Sequence, residues 1–230
     1  MKRDRAALLK WAESVRNPFR VLMSMTFDRD GLVRWRAIEA TGWIVAAFAP
    51  SELDRVRDML RRLLWQMNDE SGGLAWHAPE LIGEILVNVP ALIPEYAGLL
   101  TAYFHEEPFE RGAFYAVSRV AAIEPKLFHD IAKDLEAALS NTDPQIRCSA
   151  ALALAKIAGP SGRDTAARLL QDHASLTQYD FRTGQLRDLT VSRAASEILT
   201  GLKQSPRDSV DVETRADKPQ RGQISPTPPY

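Results

Sequence analysis

An alanine returns along this chain at positions 37, 78, 113, 150 and 194, each time inside an apolar helical pattern. The separations of 41, 35, 37 and 44 residues fall within or near the period of helical-hairpin repeats once loop insertions are allowed. Five residues beyond the first four of these alanines stand Gly42, Gly83, Ser118 and Ala155. A small residue at that place is expected to let the two helices of a hairpin approach closely. Unrelated amphipathic helices would explain the apolar periodicity but not the phased small residues. A single such hairpin cannot bury its apolar face alone, so the pattern predicts a stack of them.

The fourth unit shows the grammar most clearly. Ile131, Leu135, Ala138 and Leu139 mark one helical face, and Ile146, Ala150, Ala153, Leu154 and Ile157 mark another. Between them Asp143 is placed to cap the second helix, and Pro144 suits its first position, where no backbone donor is needed. Gly159-Pro160 then ends that helix. The fifth unit departs from the pattern: Ser175 to Phe181 and Leu186 to Leu189 read as a short β-hairpin with Gly184 in its turn. Thr190 is expected to cap the last helix, Val191 to Leu202, with the hairpin packed on the final helices as an end-cap. After Lys203, five prolines lie among alternating charges with no large apolar cluster. The expected organisation is a repeat domain over 1–203 and a disordered tail over 204–230.

Hydrophobic residues make up 45% of the 230 and charged residues 26%, which excludes disorder of the whole chain. Lys plus Arg number 29 against 30 Asp plus Glu, so the net charge of -1 gives no global reason to bind nucleic acid or a membrane surface, although a local basic patch stays open. The single Cys148 has no internal disulfide partner, and no signal-peptide core or membrane-length apolar run is present. A cytoplasmic location is expected.

The run Asp143-Pro144-Gln145-Ile146-Arg147-Cys148-Ser149-Ala150, continued by Ala151-Leu152-Ala153-Leu154-Ala155, resembles the HEAT and phycobilin-lyase HEAT-like repeat families. Over roughly residues 17–203 the resemblance implies an all-α solenoid of about five HEAT-like hairpins, with the β-hairpin inserted in the last repeat. More narrowly, Leu64 to Gly73 (LWQMNDESGG), with Trp76, Pro79-Glu80 and Gly83-Glu84-Ile85, looks like a microbial HEAT-like group. That resemblance implies no activity.

Four of the five tryptophans, Trp35, Trp43, Trp65 and Trp76, fall in the first two repeats. If second helices stand side by side, equivalent positions form rows across repeats. The first is Trp35, Trp76, Arg111 and Cys148; the second is Glu39, Glu80, Tyr115 and Leu152; the third is Trp43, Glu84, Arg119 and Lys156. The rows predict Trp76 beside Trp35 with Arg111 on an aromatic face, and an ion pair between Glu84 and Arg119. That pair is expected to be buried, because Leu81, Ile82, Ile85 and Leu86 surround Glu84 on its helix. The connection Asn68-Asp69-Glu70-Ser71-Gly72-Gly73 reads either as a site that exposes its backbone or as local capping groups.

Two functions are compatible with this pattern. The first is a non-enzymatic scaffold that binds a protein or peptide on the second helices of repeats one to three, with Trp35, Trp76 and Tyr115 as anchors, since Trp, Tyr and Arg dominate binding hot spots. The alternative is a small-molecule or metal-dependent enzyme centred on Asp69, Glu70, Glu80 and Glu84. No catalytic set, cofactor motif or paired-histidine metal motif is evident, because His77 stands three residues before Glu80 without a second histidine. Oligomeric state leaves no mark in the sequence.

Overall fold

The computed structural model describes residues 3–68 and 75–203, with the side chains of 201–203 left aside. The Asp69, Glu70, Ser71, Gly72 and Gly73 part of the candidate site, and the 204–230 tail, lie outside the described residues.

The chain is mostly helical. In order, its helices are α1 (Arg5–Ser14), α2 (Pro18–Met25), α3 (Gly31–Met67), α4 (Ala78–Asn88), α5 (Ile93–Tyr96), α6 (Glu110–Val120), α7 (Ala132–Ala138), α8 (Pro144–Ile157), α9 (Gly159–Ala166) and α10 (Val191–Lys203). Two antiparallel strands, β1 (Ser175–Asp180) and β2 (Gln185–Thr190), stand between α9 and α10. Local chemistry sets these boundaries. Asp4, Asn17, Asp30 and Asp143 each accept a backbone N–H in the first turn of α1, α2, α3 and α8. Gly184 takes φ +68° in the hairpin turn, which a residue with a Cβ resists. The Thr190 hydroxyl accepts from the N–H of Arg193, as a cap of α10 should.

One helix, α3, is 37 residues long. α3 runs through Pro50 and breaks only at Glu52, where φ is −134° and ψ is 45°. The segments between α4 and α8 are more fragmented than the apolar pattern suggests. Residues 90–92, 97–103 and 125–131 are 3₁₀ turns, and α5 has four residues. Pro90, Pro94 and Pro125 each remove a helical donor there.

The longer helices neighbour one another in chain order: α3 packs on α4, α4 on α6, α6 on α8 and α8 on α10. The glycines show how closely. A Cβ on Gly83 would lie 2.8 Å from both Cα and Cβ of Ala116, and one on Gly42 would strike the Asn88 side chain. Gly42 and Gly83 therefore serve the contacts of α3 with α4 and of α4 with α6, where the sequence suggested a contact between the two helices of one hairpin. The reason is that α4 is central, with every residue from Ala78 to Leu86 buried, so its small face meets α6. One large apolar core runs from α3 to α10, and a smaller one joins Ala12 and Leu22 to Ala37, Ala40 and Ile44.

Candidate functional site

A helix buried all round leaves its charged residues no route to water, and α4 carries Glu80 and Glu84. Glu39 on α3 is buried as well. Buried carboxylates must find donors, and these three do so differently. Glu84, 2% exposed, takes Arg119 in a two-point pair, Nε to Oε1 at 2.6 Å and Nη2 to Oε2 at 3.1 Å. The Tyr115 hydroxyl adds a bond of 2.8 Å to Oε1. The predicted third row is thus met at Glu84 and Arg119. Burial, followed by the Glu84 charge, pushes the Tyr115 phenol well above its ordinary range. Burial is the largest single influence on Arg119 and works against its charge, but the hydrogen bond to Glu84 together with the interactions with Tyr115 and the Glu84 charge outweighs it, and the guanidinium is held more firmly protonated.

Glu39 finds its donors far along the chain. Arg3 binds it with Nε to Oε2 at 3.0 Å and Nη2 to Oε1 at 2.6 Å, and the Tyr179 hydroxyl of β1 donates to Oε2 at 2.8 Å. Burial, then this carboxylate, raises the Tyr179 phenol. Glu80 has less. His77 Nδ1 lies 3.1 Å from Oε1, while Oε2 has no donor among the described residues and rests against Gly112, where any Cβ would collide with it. Arg34 Nη1 lies 3.3 Å from His77 Nε2. A guanidinium only donates, so Nε2 accepts and Nδ1 carries the proton offered to Glu80.

The β-hairpin packs on α8 and α10, as expected of an end-cap, and it also reaches back to the first helices. Arg3 donates to the carbonyls of Phe181 (2.6 Å) and Arg182 (3.0 Å), and Arg36 donates to that of Gly184. Tyr179 lies parallel to Trp35, with ring centres 5.8 Å apart, and Phe181 and Tyr115 meet Trp35 edge-on. The guanidinium of Arg119 sits 4.3 Å from the Phe181 ring centre. Trp35 is therefore partly covered by the chain's own hairpin. Beneath the hairpin, cavities of about 310 and 210 Å³ share Trp35, Tyr115, Gln145, Ser149 and Thr177 in their walls.

The first predicted row does not form as drawn. Among the described residues, Trp35 has ring contacts with Tyr115, Tyr179 and Phe181 and none with Trp76. Helix α4 begins only at Ala78, so Trp76 lies in the turn before it and leaves the helical register, 57% exposed. Arg111 shares a cleft of about 510 Å³ with Trp76, but its guanidinium pairs with Asp143 at 2.6 Å instead of stacking on an aromatic face. At the end of α3 the Asn68 amide donates to the carbonyl of Leu64 and to the hydroxyl of the distant Tyr103. Among the described residues, no three His, Cys, Asp or Glu side chains gather as a metal site, and both oxygens of Glu84 are engaged.

Arg3, Arg36, Tyr179 and Phe181 were not singled out as site residues by sequence reasoning, and His77 was weighed only as a metal ligand. Tyr179 lies on β1 and Phe181 just beyond its end; read as one strand from Ser175 to Phe181, the two aromatic rings fall on one face and carried a readable signal that this face is covered. Arg3 carried none.

No family model matches the chain, and no curated protein matches it. Two crystal structures of engineered proteins are similar to it. The first has a TM-score of 0.53 at 16% identity, and the alignment covers 86% of this chain and 50% of the other. The second has a TM-score of 0.49 at 15% identity, covering 82% of this chain and 80% of the other. The chain thus spans about half the length of the first, and that likeness concerns the fold alone.

Proposed function

We propose that this chain is a non-enzymatic scaffold, a solenoid of HEAT-like hairpins that binds a protein or peptide partner along the rim of its second helices. The observation that carries the reading is Trp76, 57% exposed at the mouth of the cleft it shares with Arg111, Glu107 and Glu110. A large aromatic ring left in water beside an arginine is the combination that dominates binding hot spots. The hairpin supports the same reading from within. Tyr179 and Phe181 already occupy Trp35 and Arg119, so the inner face accepts an extended aromatic segment, in this case the chain's own. A partner then anchors on the uncovered rim, with Trp76 as its first contact.

The test is affinity capture from native extract with wild type and Trp76→Ala as paired baits. A partner depleted about tenfold or more by the substitution, equivalent to about 1.4 kcal/mol, is the expected result. Equal recovery by both baits, with unchanged melting temperatures, would remove Trp76 from the interface and this reading with it.

A further inference from the structure

A further cleft among the described residues shares no lining residue with the hairpin or with the Trp76 rim. It is a groove of about 600 Å³ between α2 and the C-terminal half of α3. Arg16, Arg20, Arg55 and Arg62 line it, and the acid among its walls is Asp58. That carboxylate is already paired with Arg61, outside the groove, at 2.7 Å. Arg55 is held by Glu52 at 2.7 Å. The guanidinium groups of Arg16, Arg20 and Arg62 have no carboxylate partner among the described residues, and all three side chains are exposed. A chain of net charge -1 therefore concentrates three unneutralised cations around one groove.

The floor is apolar: Phe19, Met23 and Met59 form it, all partly buried. Methionine is flexible and polarizable, so such a floor adapts to an incoming side chain. The Phe19 ring is edge-on to Phe48 at 6.0 Å and has the Arg55 guanidinium 5.8 Å from its centre. A recessed apolar floor between two helices with a cationic rim matches a helix laid into a groove better than a flat anionic sheet.

We propose that this groove is a second docking site, for an acidic amphipathic peptide segment of a partner protein. Its apolar residues sit on Phe19, Met23 and Met59, and its carboxylates meet Arg16, Arg20 and Arg62. Arginine suits that role because its planar donors take a carboxylate at two points.

The experiment uses the full chain and fluorescence anisotropy with a labelled helix-forming peptide of about 15 residues, roughly four turns, carrying Leu on one face and Glu on the other. Two control peptides replace Glu by Gln or Leu by Ser. Expected are saturable binding weakened by salt, loss of at least about tenfold in affinity with either control, and a similar loss in Arg62→Glu and Arg20→Glu. Both positions are exposed, so circular dichroism and melting temperature should stay at wild-type values. Trp76→Ala should bind the peptide normally, which separates failure here from failure of the rim. Equal binding of the Ser control, or full competition by inorganic phosphate, would reduce the groove to a general anion surface. Binding to vesicles rich in anionic lipid without binding to the peptide would assign it to a membrane. Self-association in sedimentation that Arg62→Glu abolishes would assign it to a second copy. Absence of any peptide binding would overturn the proposal outright.

Discussion

Glu84 is 2% exposed with three donor atoms around it, so removing a donor costs more than the donor is worth. Arg119→Gln should destabilise the fold by roughly 3–5 kcal/mol, because the carboxylate stays buried without its counter-charge. Glu84→Gln should cost a comparable amount, and the double variant much less than the sum. A double-mutant cycle in denaturant measures this, and strict additivity would mean that the two groups do not act on each other. A second ion pair gives a pH signature. Arg147, through its hydrogen bond, holds the Asp172 carboxyl below its ordinary value against the opposing effect of burial. A depressed folded-state pKa means stability that is full above the unfolded value, near 3.9, and lost as pH falls through the folded one. Asp172→Asn should therefore flatten the acid limb of melting temperature below about pH 4 while lowering stability at neutrality. At this scale the sequence was legible where neighbours on one helix decided the outcome: on a helix apolar almost all round, Glu84 had no wet face to occupy. Glu39 was not legible, because its donors come from Arg3 and Tyr179 and nothing local names them.

At the scale of elements, α4 and α6 meet through Gly83 and Ala116, and two effects oppose each other when Gly83 changes. A side chain improves helix propensity by up to about 1 kcal/mol, whereas overpacking against backbone costs about 1–3 kcal/mol or more. With a Cβ only 2.8 Å from Ala116 Cα, collision wins. Gly83→Val, whose branched side chain also gains least from the helix, should lower stability by roughly 2 kcal/mol or more. Gly98→Ala meets nothing within 4 Å and should be neutral or slightly stabilising. Thermal melts of the two variants compare the effects directly. The caps at Asp143 and Thr190 and the turn at Gly184 were readable because capping and positive φ are local chemistry. The start of α4 was not. Placing Trp76 in a helical row required that helix to begin before Ala78, but Trp76 and His77 form a turn.

Across the whole molecule, the hairpin ties the last elements to the first. Tyr179→Ala removes a 5% exposed ring from Trp35 and strips Glu39 of a donor, so it should cost roughly 3–5 kcal/mol. Acrylamide quenching of tryptophan emission should rise in the same variant as Trp35 is uncovered. Unchanged quenching would show that the strand does not cover that ring in solution. The contacts in question join residues 140, 148 and 179 positions apart, in a chain whose helix neighbours are otherwise mostly consecutive. Local contacts form quickly, whereas closing a loop of that length spends chain entropy before any contact rewards it. The helices should therefore assemble first and the hairpin dock last. In pulse-labelled hydrogen exchange, amides of α4, α6 and α8 should be protected in an early phase and those of β1 and β2 in a later one. Arg3→Ala, which cuts the tie to Phe181 and Arg182, should accelerate unfolding more than it slows folding.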